Sequence, residues 1–282
     1  MLKKWIAIGA LLGTGMAQAY MPQSGTWVVT SELNGKPGRG LAIDVQNQTL
    51  VMQMYAYDAS GNATFYLTSG AYKNNQYSGT LNKYRGGRYL GSNERIGQDN
   101  GNDGVVSMRF ESGTKGYIKF PGEAEKEISR FSFGYDNSPQ SLFGMWLFTS
   151  LGASTASTDF VRLEKLATGS GYGTGFAATS NYRFGCEHLT SGPNAGLLLC
   201  LKLNAADRTE QVYYLNYAVN DGEGVTGATP ETATKLLVVR RLTTNNDDGT
   251  GILLKDAEAQ TPADPEALRQ ALADAAAQPN EQ

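Results

Sequence analysis

Histidine is almost missing from this chain: His188 is the only one in 282 residues. Hydrolysis by an activated Ser or Cys normally needs a His base within hydrogen-bond reach, so there is one candidate base. No Gly-x-Ser-x-Gly elbow accompanies it. In a strand, Glu187 and His188 point to opposite faces, so the carboxylate is not placed to orient the imidazole. His188 therefore reads as a surface or packed residue rather than a catalytic one. Cysteine is equally scarce, with Cys186 and Cys200 alone. Only Glu187 and His188 lie near these two, too few ligands for zinc at a recognisable spacing. Long apolar runs are missing too. The strongest, Trp5–Leu12, falls well short of the roughly 20 residues of a membrane span. Charge is thin, at 18% of residues with a net of −3. Asp256, Glu258, Asp264, Glu266, Asp274 and Glu281 stand against Arg269 alone in the segment 256–282, which leaves the body near neutral. A nucleic-acid partner needs a basic surface, and a near-neutral body argues against one.

What is present begins at the N-terminus. Lys3 and Lys4 precede the apolar run, and Ala17-Gln18-Ala19 follows it. These are the three parts of a secretory signal peptide, spanning 1–19. The expectation is an exported protein, periplasmic or secreted, whose mature chain starts at Tyr20. The chain also holds 34 Gly and 15 Tyr, a mixture suited to strands joined by tight turns.

Leu41–Val45 alternates as a half-buried strand. In Leu50–Tyr57, Leu50, Met52 and Met54 share one face, and Val51, Tyr55 and Tyr57 the other. Asp58-Ala-Ser-Gly-Asn62 supplies turn residues, and Thr64–Thr68 returns. Further strands are expected at Gln76–Leu81, Gly87–Gly91, Val105–Phe110, Gly116–Phe120 and Glu127–Phe133. A polar stretch, Tyr135–Ser141, then separates this module from a second start. GTWVVTS at 25–31 is echoed by GMWLFTS at 144–150, and Ser129-Arg130-Phe by Val239-Arg240-Arg-Leu242. The hairpin around Asp207 is matched with that around Asp58. The reading is all-β: two related antiparallel barrel or sandwich modules, 20–137 and 138–255. An acidic, disordered tail, 256–282, carries a short helix with Asp264 as N-cap and Pro265 at its first position.

The cysteines flank Ser191-Gly-Pro-Asn194. Folding the flanking strands about a turn centred near Pro193 sets 186 opposite 200, so a cross-strand disulfide is expected. The Gly169-Ser-Gly-Tyr-Gly-Thr-Gly175 run lacks the spacing and the Lys of a phosphate loop and reads as a strand connector. No cofactor motif emerges.

Gly25-Thr-Trp27, Gly38-Arg-Gly40, Tyr57-Asp58 with Gly61 and Phe65-Tyr66, the Val106–Phe110 strand and Arg130-Phe131 together resemble a widespread, uncharacterised β-rich module of exported proteobacterial proteins. Val28 and Phe65 stand where that module often has Trp. The resemblance implies an exported all-β module and no activity. A Gly-x-Trp strand also opens lipocalin-like and avidin-like barrels, which bind small apolar ligands. Aromatic residues are the ligand-binding candidates: Trp27, Tyr55, Tyr57, Tyr66 and Trp146, since a flat ring with a polar tip suits sugars or a pocket wall. The function expected is a non-catalytic binding module for a glycan, a small apolar ligand or an envelope protein. Two alternatives stay open: a polysaccharide-acting enzyme using Asp44, Asp58, Glu111, Glu164 or a Tyr, and an accessory assembly subunit.

Overall fold

The computed structural model describes residues 21–152, 156–244 and 262–279; the signal peptide expected at 1–19 lies outside them. Eight antiparallel strands form a meander that closes on itself. They are β1 (Gly25–Val29), β2 (Gly40–Gln46), β3 (Thr49–Tyr57), β4 (Ala63–Lys73), β5 (Gln76–Arg85), β6 (Gln98–Phe110), β7 (Lys115–Lys119) and β8 (Lys126–Arg130), with β8 pairing back onto β1. The alternation seen in the sequence sets the inside. Trp27, Leu41, Ile43, Leu50, Met52, Val106, Ile118 and Ile128 are at most 1% exposed and fill the barrel. Closure leaves no free sheet edge.

Nine strands follow: β9 (Gly144–Leu151), β10 (Ala156–Leu163), β11 (Lys165–Ala167), β12 (Gly173–Ala178), β13 (Phe184–Leu189), β14 (Leu198–Leu203), β15 (Thr209–Ala218), β16 (Asp221–Gly227) and β17 (Lys235–Arg241). Their order in the sheet is β10-β9-β17-β16-β15-β14-β13-β12-β11. The sheet curls so far that its edge strands, β10 and β11, are consecutive in the chain with Glu164 alone between them. The Glu164 N–H donates to the Ala178 carbonyl, 2.8 Å away. Trp146, Phe148, Phe184, Tyr213 and Leu215 pack inside the curl.

β13, β14 and β15 are buried on both faces, because a helix covers the outside. α1 (Pro265–Ala277) starts from Asp264, whose side chain accepts from the Glu266 N–H. Leu268 and Leu272 are fully buried against Phe176, Leu199, Leu201 and Tyr214. The Tyr214 hydroxyl donates to the Ala275 carbonyl at 2.7 Å. Residues 256–261 and 280–282 of the expected tail lie outside the described ones. The short C-terminal helix expected here is present, and α1 is a packed part of the second unit. Thirteen residues are marginal alone in water, so tertiary packing sustains it.

The cysteines pair as the register predicts, Cys186 opposite Cys200, bridged with their Cα atoms 4.0 Å apart. Two other expectations are overturned. Gly87–Gly91 is not a strand but the distal loop between β5 and β6, held in turns by Gly86 and Gly91 at φ 73° and 81°. The Asp58 turn joins β3 to β4, whereas the Asp207 turn joins β14 to β15, so the two hairpins occupy different places in their meanders.

The echoed motifs do adopt one arrangement twice. Trp27 on β1 sits opposite Arg130 on β8, and Trp146 on β9 opposite Arg241 on β17. Each indole N–H donates to the carbonyl four residues back, Trp27 to Gln23 at 2.9 Å and Trp146 to Leu142 at 2.7 Å. Each Trp follows a glycine of positive φ, Gly25 at 130° and Gly144 at 121°. A Cβ at Gly25 would strike the Arg130 guanidinium, and one at Gly144 the backbone of Thr243. The glycine two residues before each Trp is therefore a steric need of the closing strand pair.

Candidate functional site

The outer face of β3, β4 and β5 carries an aromatic row. On β3 the inward residues are Leu50, Met52, Met54 and Ala56, which turns Tyr55 and Tyr57 outward. Tyr55 faces Phe65 directly across the β3–β4 pair. Leu67 faces Asn82 across β4–β5, and two residues further along β5 Tyr84 lies on the same face as Asn82. Tyr55 and Phe65 thus stand side by side on neighbouring strands; Tyr84 faces outward on β5 opposite Asp99 of β6, and Tyr57 is one pleat along from Tyr55. They are 58%, 49%, 41% and 49% exposed respectively. Opposite Tyr55 on the other side, β2 presents Gly40, which leaves that flank of the row open.

Polar groups border the row. Asp58 closes the β3–β4 turn, accepting from the Ser60 and Asn62 N–H groups at 2.9 Å each, and these bonds hold its carboxyl below the usual range. At the barrel mouth the inward Tyr66 hydroxyl donates to Asp103 at 2.7 Å, and Lys83 pairs with the same carboxylate. Burial, with Asp103 second, pushes the Tyr66 phenol up to about 12.

The five aromatic candidates therefore divide. Tyr55 and Tyr57 belong to the exposed face. Trp27 and Tyr66 are inside the barrel, 0% and 6% exposed, and Trp146 is inside the second unit at 1%. Phe65 and Tyr84 complete the face, and a period-2 reading of β4 and β5 places both outward.

The titratable candidates are scattered and engaged. Asp44 accepts from Ser24 at 2.5 Å, Glu111 pairs with Arg109 at 3.0 Å, and Glu164 pairs with Arg162 at 3.1 Å. Glu32 and Glu123 gather around Arg39 and Lys126. The Arg39 hydrogen bond is the main cause that holds Glu32 down at about 2, against burial. Glu187 is fully buried beneath the glycine-rich loop, both its oxygens within reach of the Ser170 N–H at 3.1 and 3.3 Å. A Cβ at Gly169 or Gly173 would collide with it, so those glycines serve this enclosure. His188 points to the opposite side of β13, its ring 6.0 Å from that of Tyr217. Burial lowers its imidazole to about 4, and Nε2 is buried with no hydrogen-bond partner among the described residues. A base that weak is poorly matched to proton abstraction near neutral pH. Among the described residues no cluster of three or more His, Cys, Asp or Glu side chains is placed to hold a metal ion, and no helix is long and apolar enough to cross a membrane.

Comparison of the chain with protein-family models, curated proteins and solved structures gives no match.

Proposed function

We propose that this protein is an exported, non-catalytic binding module that holds a glycan by stacking sugar rings on Tyr55, Phe65 and Tyr84. The observation that carries the reading is the Tyr55–Phe65 pair, two large rings facing each other across adjacent strands and open to solvent, with Tyr57 and Tyr84 also exposed on these strands and their neighbour. Strands about 4.8 Å apart set the rings at a spacing suited to consecutive sugars of an extended chain, and tyrosine adds a hydroxyl for the sugar's own groups. The closed barrel gives these rings a rigid base, which lowers the ordering cost of binding. The basic leader and the Cys186–Cys200 disulfide support export, since disulfides persist in oxidising compartments. The repeated Trp–Arg closure supports descent of the two units from one module.

Affinity electrophoresis and calorimetry against a panel of cell-wall, capsular and plant polysaccharides test the proposal. Binding should appear for at least one neutral polymer. It should weaken on the order of tenfold for Tyr55→Ala or Phe65→Ala, equivalent to about 1.4 kcal/mol, while Asp58→Asn leaves the polymer uncleaved and bound. A panel with no binder, or bond cleavage by the wild-type protein, would sink it.

A further inference from the structure

The β5–β6 hairpin runs on past the barrel. From Gln98 to Asn102 every residue of β6 is exposed, and so are Tyr84 and Arg85 opposite them. The six residue steps from Gly104 out to Gln98 correspond to roughly 20 Å of strand. At the far end the chain turns through Tyr89-Leu90-Gly91-Ser92. The Ser92 N–H donates to the Tyr89 carbonyl at 2.9 Å, and the Tyr89 N–H to the Ser92 hydroxyl at 3.1 Å. Gly91 takes φ 81°, as the third position of a type II turn requires. This fixed turn holds Leu90 at the apex, completely exposed at 101%, with Ile96 at 84% and Tyr89 at 66% beside it.

Three large apolar side chains on a solvated arm gain nothing in the isolated molecule, and such a concentration marks a contact surface. The charge around them says what kind. Arg88 and Arg95 flank the tip and Arg85 ends β5 below it, opposite Gln98; against them stand Glu94, 3.5 Å from Arg88, and Asp99, opposite Tyr84. The Arg95 guanidinium lies 5.7 Å from the Tyr89 ring centroid. An apolar apex with a cationic collar matches a surface that is oily within and anionic at its rim. Leu and Ile enter the acyl boundary, Tyr settles among headgroups, and guanidinium groups pair with lipid phosphates. A weak apolar anchor joined to a basic patch is the two-signal arrangement that makes peripheral membrane binding stable. We propose that the tip of this arm, Tyr89, Leu90 and Ile96 within Arg85, Arg88 and Arg95, docks the protein on an anionic lipid surface. The inference is distinct from glycan binding, whose facing rings Tyr55 and Phe65 lie on β3 and β4; Tyr84, at the base of the arm, is left unchanged in the variants below.

Vesicle co-sedimentation with the purified protein tests it, comparing phosphatidylglycerol–phosphatidylcholine vesicles with phosphatidylcholine alone. Wild-type protein should bind the anionic vesicles at least tenfold better. Leu90→Ser with Ile96→Ser, and separately Arg88→Gln with Arg95→Gln, should each cut that binding tenfold or more at an unchanged melting temperature, because all four residues are exposed. About 0.5 M salt should cut it as well, since it screens the collar. Equal binding by either double variant, no preference for anionic lipid, or no vesicle binding at all would overturn the proposal. Concentration-dependent self-association by sedimentation velocity, abolished by the Leu90/Ile96 pair without any vesicle binding, would overturn it in favour of a second copy of this chain.

Discussion

At the residue scale, His188 makes a sharp prediction because it has no homotypic neighbours to confuse its signal. Its imidazole is held at about 4, chiefly by burial and against the charge of Asp136. The folded protein therefore declines a proton that the unfolded chain accepts near pH 6.5. The stability tied to this group is complete above pH 6.5 and drains away as pH falls toward 4, by up to roughly 3 kcal/mol. Proton NMR of the single imidazole should give a titration midpoint near 4, and urea midpoints should fall between pH 6.5 and 4 in the wild type. His188→Phe should flatten that fall. A midpoint above 6 would remove the buried site. The opposite-face reading of Glu187 and His188 was legible from strand alternation alone. Burial of the indoles was not legible in the same way: Trp27 and Trp146, singled out as binding candidates, lie inside, and the glycine two residues before each clears space for the closing strand.

At the scale of elements, the β13–β14 hairpin shows how much a symmetric register reveals. Turn residues near Pro193 fix the reflection, and Cys186 meets Cys200 where the sequence places it. A closed loop of this size adds roughly 3 kcal/mol in the chain-entropy model, and the β13–β14 ladder pairs the same strands in the folded state without it. Replacing both cysteines by Ser should lower the melting temperature yet leave β-type circular dichroism intact. Thiol labelling of unreduced native protein should find no free thiol; two reactive thiols would refute the bridge. Elsewhere local pattern misled for a physical reason. Gln98–Asp103 has no apolar alternation because neither side of the arm meets a core, so period-2 reading is silent where a strand exists. Gly87–Gly91 alternates by accident at a loop. The helix was legible from its cap, but not its docking, since Leu268 and Leu272 are too few to signal a partner. The signal lay in the partner: Leu198–Leu201 and Val212–Leu215 are apolar on both faces, which calls for a second covering layer.

At the scale of the whole molecule, the two units touch through a few polar contacts. Gln23 donates to the Asp221 carbonyl at 2.9 Å, and the Gly113 N–H to Glu223 at 2.6 Å. Each unit has its own core, so fragment 20–137 should fold alone with a cooperative melt. The second unit is larger than its sheet. Fragment 138–282 should fold, whereas 138–255, which lacks α1, should expose the outer face of β13–β15 and bind a hydrophobic dye or aggregate. Losing Leu268 and Leu272 removes two fully buried leucines, each worth about 2–5 kcal/mol. A stable, monodisperse 138–255 would show the helix to be dispensable. Dye binding and sedimentation on the two fragments decide between these outcomes.

The position of α1 also sets a timetable. The barrel can close as soon as β8 has emerged, because every strand it needs lies before Arg130. The second sheet waits for residues downstream of all its strands, since the cover over Leu199 and Tyr214 is made after β17. A polypeptide emerging N-terminus first from a ribosome therefore holds one finished body and one bare apolar sheet until α1 arrives. During that interval the exposed strands are open to chaperones, to neighbouring copies and to proteases, and truncation near the C-terminus prolongs it indefinitely.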